Sequence, residues 1–361
     1  MALDAADKKG QNPKGALARQ NALARIRAAQ GVRPDVADWA ALIREGNREA
    51  LGQAITLTES HRTSDLELLD ALLDALERDG GHTESLRIGI TGVPGVGKST
   101  FIEQFGGTLI EQGHRVAVLA IDPSSSRTGG SILGDKTRME HLSQHAAAFV
   151  RPSPTGTSLG GVTRGTSEAT ILCEAAGYDR IIIETVGVGQ SETSVRALTD
   201  AFILLMLPGG GDELQGIKRG IMEMADLLLV NKCDSGRETL AEETANQYRK
   251  ALHLFPPNPG GHQVEVLTIS ALDAKGIEES CTALEGLQSK WMAIGWLDQQ
   301  RSEQRVDQFR QHVQHLVFIR RMEGGEVSEK WRKLMEELQN GTIQPFHAAR
   351  EWMNERMDSN R

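Results

Sequence analysis

Apolar runs and helically spaced stripes alternate through the middle of the chain. Leu86-Arg87-Ile88-Gly89-Ile90-Thr91 is one such run, and Ile181-Ile182-Ile183 and Phe202-Ile203-Leu204-Leu205-Met206-Leu207 are others. Continuous runs of this length, unlike the alternation of a half-wet strand, predict strands covered on both faces. Further strands are expected over 115–121, 147–150, 180–184, 201–207, 226–230 and 264–269, and the first run is followed by a helix over 100–112. The alternation implies an α/β fold of the P-loop type with an open, mostly parallel central sheet. Ligand chemistry then belongs at the strands' C-terminal ends.

Both flanks read as helix only. Residues 35–45 and 48–56 have helical periodicity, and a third helix begins near Ser64 or Asp65, runs through Leu69, Leu72 and Leu76, and stops at Gly80-Gly81. Beyond Gly276, helices are expected over 278–294, 301–321, 327–339 and 345–357. The second of these carries Val306, Phe309, Val313, Leu316 and Val317 as a stripe that needs a cover, from the same chain or from a second copy. The chain therefore divides into an N-terminal helical extension (1–84), a nucleotide domain (85–285) and a C-terminal helical arm (286–361). Residues 1–32 are basic and poor in apolar side chains, without a secretory core, and read as a solvated tail.

Composition narrows the function. A formal charge of −9 argues against a general nucleic-acid binder, and no stretch approaches the length of a membrane span. Cys173, Cys233 and Cys281 are odd in number and far apart, which suits a reducing compartment, with the cytoplasm as default. Trp39, Trp291, Trp296, Trp331 and Trp352 all lie outside the nucleotide domain, where large aromatics anchor helix packing or partner contacts.

The chemistry centres on Gly92-Val93-Pro94-Gly95-Val96-Gly97-Lys98-Ser99-Thr100, set between the first strand and its helix. Glycines at these offsets let successive N–H groups turn inward, and the helix N-terminus adds partial positive charge, so the segment cradles phosphates. Lys98 reaches the terminal phosphates and the Ser99 hydroxyl binds Mg²⁺. Three acids follow predicted strands on the same side: Asp122, Asp135 within Gly134-Asp135-Lys136, and Glu184. Mg²⁺ needs only one or two carboxylates and keeps several waters, so the three share direct and water-mediated roles, with the division between them open. The Gly187 N–H of the Glu-Thr-Val-Gly turn is placed to sense a γ-phosphate. A glutamine follows that glycine in Ras-like enzymes, but Val188 stands here, and Gln190 reads as a polar loop residue. Slow hydrolysis until a partner completes the site is the expected result.

Asn231-Lys232-Cys233-Asp234 ends a strand with the Asn-Lys-X-Asp spacing. Asp234 is expected to accept from the two donor positions of guanine while Lys232 covers the ring and Asn231 braces the loop. Adenine lacks that donor pair. Ser270-Ala271-Leu272 offers backbone N–H groups to the guanine oxygen. The glycine-rich stretch 208–220 reads as a hinge, with Lys218 and Arg219 either turned to the phosphates or solvated. His141/His145 and His312/His315 have helical spacing but no third ligand nearby, and read as exposed polar positions.

Taken in order, the phosphate loop, Asp-Pro-Ser-Ser with Gly-Gly-Ser-Ile-Leu-Gly-Asp-Lys, Glu-Thr-Val-Gly-Val-Gly-Gln-Ser-Glu, Gly-Asp-Glu-Leu-Gln-Gly-Ile-Lys and Asn-Lys-Cys-Asp resemble the methylmalonyl-CoA mutase-associated GTPases of the MeaB/ArgK type. The resemblance covers roughly residues 89–272. It implies a homodimeric G protein that chaperones an adenosylcobalamin-dependent acyl-CoA mutase, gating cofactor loading and protecting or reactivating the enzyme. It further implies that Asp122, Asp135 and Glu184 are Mg²⁺-linked acids and that Lys218 is the switch residue for partner-stimulated hydrolysis. The C-terminal helices would be the dimerisation arm. Alternatives of other classes are an ATP-dependent, transport-linked kinase and a metal-insertion GTPase.

Overall fold

A computed structural model describes residues 35–60, 62–78, 85–122, 139–154, 159–185, 191–209, 219–322, 325–340 and 342–354. Among the described residues three helices come first: α1 (Val36–Arg44), α2 (Arg48–Thr58) and α3 (Thr63–Arg78). Asp35 caps α1 by accepting from the Ala37 N–H at 2.8 Å, and Asn47 caps α2 by accepting from the Glu49 and Ala50 N–H groups. Asp65, in the first turn of α3, accepts from the Ser60 hydroxyl at 2.7 Å.

Seven strands follow in alternation with helices: β1 (Leu86–Gly92), α4 (Lys98–Glu111), β2 (Val116–Asp122), α5 (Glu140–Gln144), β3 (Ala148–Pro154), α6 (Leu159–Ala175), β4 (Arg180–Thr185), α7 (Ser191–Arg196), β5 (Ala201–Met206), α8 (Arg219–Met224), β6 (Leu227–Val230), α9 (Glu238–Leu252) and β7 (Glu265–Thr268). The strands lie in one sheet in the order β3-β2-β4-β1-β5-β6-β7, and every pairing between neighbours is parallel. Strands β4, β5 and β6 are buried along their whole length, which is why they read as unbroken apolar runs.

Helices α1 to α3 share one core with the sheet. Trp39, Ile43, Leu51, Ile55, Leu69 and Leu72 cluster with Leu119, Tyr178, Ile181, Ile183 and Phe202, so these helices form part of a covering layer together with α6. The Trp39 indole N–H donates to the Ala50 carbonyl, which uses this tryptophan inside the chain. A second core joins β5 and β6 to α9 through Leu204, Leu228, Ala245 and Tyr248.

Helix α10 (Ile277–Ala293) closes the larger of two compact units, which divide after Trp291. Trp291 is fully buried with its ring edge on His262. The smaller unit holds α11 (Trp296–Met322), α12 (Gly325–Gln339) and α13 (Pro345–Asn354). Within it α12 meets α13 through Trp331 and Trp352, whose ring centroids are 4.9 Å apart. On α11, Val306, Phe309 and Val313 are exposed. Among the described residues no helix is long and apolar enough to cross a membrane.

Candidate nucleotide-binding site

Because the strands all run one way, the segments that follow them open on one edge of the sheet. The phosphate loop leaves β1 there. Gly92 pairs with Leu205, and a Cβ on Gly92 would sit 2.5 Å from the Leu205 carbonyl oxygen, so only glycine fits. Gly97 has φ +98° and serves as N-cap of α4 without any capping side chain. The first N–H groups of that helix are thus left for a ligand, at its positive end. Val96 is fully buried, Pro94, Gly95 and Thr100 are exposed, and Ser99 is half-buried. The Lys98 ammonium lies back across the loop and donates to the Gly92 carbonyl at 3.0 Å.

Across from this loop, the Asn231 to Asp234 segment follows β6. The Asn231 amide nitrogen donates to the Val96 carbonyl at 2.8 Å, and its oxygen accepts from the Ala271 N–H at 2.9 Å. One side chain therefore ties the phosphate loop to both base-side loops. A Cβ on Gly97 would come within 2.9 Å of that same amide nitrogen, a second reason for glycine at this position. Asp234 is 5% exposed. Its Oδ2 accepts from the Ser270 hydroxyl and its Oδ1 from the Arg237 guanidinium, both at 2.7 Å. The Ser270 bond first, and the Arg237 bond next, hold the Asp234 carboxyl below the usual aspartate range. Lys232 has φ +64°, an uncommon conformation for a residue with a side chain, where the loop turns sharply.

The three N–H groups of Ser270, Ala271 and Leu272 are not equivalent. That of Ser270 donates to the Lys275 carbonyl and that of Ala271 to Asn231, while the Leu272 N–H has no such backbone or Asn231 partner among the described residues. Leu272 itself is 73% exposed at the rim.

On the metal side, Glu184 is buried near the end of β4, in register with Ile90 of β1 and Ala120 of β2. The next residue, Thr185, donates its hydroxyl to the Thr91 hydroxyl at 2.7 Å and so fastens the acid-bearing strand end to the root of the phosphate loop. Asp122 ends β2, opposite Pro154. Asp135, Gly187, Gln190 and Lys218 lie outside the described residues. The donors nominated here, a serine hydroxyl and carboxylates, are all hard oxygens, the chemistry that Mg²⁺ prefers. Among the described residues no group of three or more His, Cys, Asp or Glu side chains assembles as a metal site. His141 and His145 are exposed, and His145 Nδ1 accepts from the Ala147 N–H.

Two contacts here have no counterpart in the sequence reading. The Thr91–Thr185 bond depends on strand order, which no local pattern reveals. Arg237 follows a Ser-Gly turn as one charged residue among many. A separate cavity of about 440 Å³, lined by Met222, Arg249, Phe255, Pro257 and His262 among others, holds none of the nominated residues.

A "Putative GTPase" of Caulobacter vibrioides is 58% identical over 233 residues, covering 64% of this chain and 71% of the relative. "GTPase ArgK" of Escherichia coli is 45% identical over 309 residues, covering 86% and 93%. The mitochondrial "Methylmalonic aciduria type A homolog" of Mus musculus is 44% identical over 313 residues, covering 84% and 75%. A solved structure described as an LAO/AO transport system kinase superposes with a TM-score of 0.67 at 37% identity, over 88% of this chain and 96% of that one. The family model for methylmalonyl Co-A mutase-associated GTPase MeaB matches residues 51–326, and the chain belongs to that family of GTPases.

Proposed function

We propose that this GTPase is a G-protein chaperone of an adenosylcobalamin-dependent acyl-CoA mutase of the methylmalonyl-CoA type, gating cofactor loading and protecting or reactivating its client. The family description names the mutase association, and a relative bears the name methylmalonic aciduria type A homolog. The observation that carries the nucleotide half is the buried Asp234, braced on both oxygens and tied through Asn231 to the phosphate loop. A carboxylate so placed rewards the N1–H and 2-amino group of guanine and repels the bare N1 of adenine. That is the argument against an ATP-dependent, transport-linked kinase, although the solved relative is described as a transport system kinase. A metal-insertion GTPase would need a cysteine- or histidine-rich cargo site, which the sequence does not offer.

In this reading, Lys98 and the open N–H groups of α4 hold the phosphates. Ser99 with Asp122, Asp135 and Glu184 would hold Mg²⁺, which when bound neutralises charge on the β- and γ-phosphates. Gly187 senses the γ-phosphate, and water attacks its phosphorus to release GDP and phosphate. With Val188 where Ras-like enzymes carry a glutamine after Gly187, the isolated protein turns over slowly until the client brings Lys218 into play. The active form is a homodimer in the cytoplasm, built through the 286–361 arm, on which Val306, Phe309 and Val313 are exposed.

The test is GTP turnover with and without purified cobalamin-dependent mutases. The client should raise the rate by about tenfold or more, and Lys218→Ala should return it to the basal value. If no mutase binds or stimulates, the chaperone reading fails even though hydrolysis continues.

A further inference from the structure

We infer that Arg237 is a specificity-determining positioning residue, holding Asp234 Oδ1 on the 2-amino group of guanine. The inference rests on the reading of Asp234 as the guanine acceptor. Asp234 has two oxygens with different keepers. Oδ2 is held by the Ser270 hydroxyl, itself fixed by accepting from the Asp273 N–H at 3.1 Å. Oδ1 is held by Arg237, whose Nε also donates to the Asp234 carbonyl at 3.3 Å, so the guanidinium grips side chain and backbone together. Each carboxylate oxygen can accept two hydrogen bonds, so each can take a bond from the base while its keeper remains in place.

The geometry also orders the two oxygens along the base. The guanine edge presents O6, then N1–H, then the 2-amino group. The Leu272 N–H available for O6 lies on the Ser270 loop, which puts Oδ2 opposite N1–H and Oδ1, on the Arg237 side, opposite the amine. The Arg237 side chain is 44% exposed while that of Asp234 is 6% exposed, so the clamp works from the pocket rim onto a buried acceptor. Without it the carboxylate keeps Ser270 but is free to turn about its last torsion, and the amine loses a fixed partner.

Inosine diphosphate, which lacks only that amine, is the probe. Binding of GDP, inosine diphosphate and ADP is measured by calorimetry on the full chain, for wild type, Arg237→Ala, Arg237→Lys and Asp234→Ala. Arg237→Ala should weaken GDP by ~3- to 10-fold and leave inosine diphosphate nearly unchanged, shrinking their ratio, because a half-exposed charged bond contributes modestly. Arg237→Lys should restore part of the ratio. The KM for GTP should rise in Arg237→Ala while kcat holds, since the phosphate end is untouched. Equal weakening of GDP and inosine diphosphate, or no change in either, overturns the role of Arg237 alone. Undiminished preference for GDP over ADP in Asp234→Ala overturns the guanine reading beneath it, and the inference with it.

Discussion

Asp234 and Gly97 show two ways in which one residue fixes a site. Asp234 contributes an acceptor, and its neighbours Ser270 and Arg237 keep it charged and oriented. Asp234→Ala should weaken GTP by about two orders of magnitude and erase the preference over ATP, measured by competition binding, since two charge-assisted bonds are lost. Gly97 contributes an absence. At φ +98°, with Asn231 Nδ2 2.9 Å from any added Cβ, an alanine would strain the loop and push against the tie. Gly97→Ala is therefore expected to lower stability by about 1–3 kcal/mol and to reduce GDP affinity at the same time, followed by denaturant titration and calorimetry. The phosphate loop and the Asn-Lys-X-Asp spacing were legible in sequence because backbone chemistry dictates residue type at fixed offsets. Arg237 was not, since any long cation three residues past an aspartate looks solvated until the turn that folds it back is seen.

At the scale of elements, the apolar strands were plain in sequence and their edges were not. The strand expected over 147–150 runs as β3 from Ala148 to Pro154, adding an Arg-Pro-Ser-Pro tail. It is an edge strand, and prolines are tolerated where one side needs no ladder bonds. The long helix expected over 301–321 begins at Trp296, through a polar stretch without periodic signal. Equally hidden was Glu168 of α6, buried with the Arg164 guanidinium at 3.1 Å and its Oε2 without a hydrogen-bond partner among the described residues. Burial chiefly, with Asp70 of α3 adding repulsion against the pull of Arg164, raises its pKa from 4.5 to about 7. A folded-state value above the unfolded one means that this acid favours the fold below about pH 4.5 and that the advantage is lost as pH climbs through 7. Glu168→Gln should flatten that decline, gaining roughly 1–3 kcal/mol over wild type at pH 8 relative to pH 5 in urea titrations. A parallel shift at both pH values would refute it.

For the whole molecule, the exposed apolar side chains of α11 are where self-association is to be tested. Phe309, 68% exposed, is the largest of them. Phe309→Glu is expected to weaken the proposed dimer by about 100-fold or more, read as a shift to monomer mass in light scattering, with basal GTP turnover unchanged. A dimer of undiminished stability would remove α11 from the interface. The Asn231 amide bears on the molecule differently. Because it spans the phosphate loop and the loops proposed to take the base, the two halves of a nucleotide would be received at a preset separation. Each half alone would be a feeble ligand, and tight binding comes from the high effective concentration that one docked end confers on the other. Loosen that spacer, as in Asn231→Ala, and the protein should behave as two poor receptors in place of one good one, holding phosphate and guanosine about as before while GDP slips away.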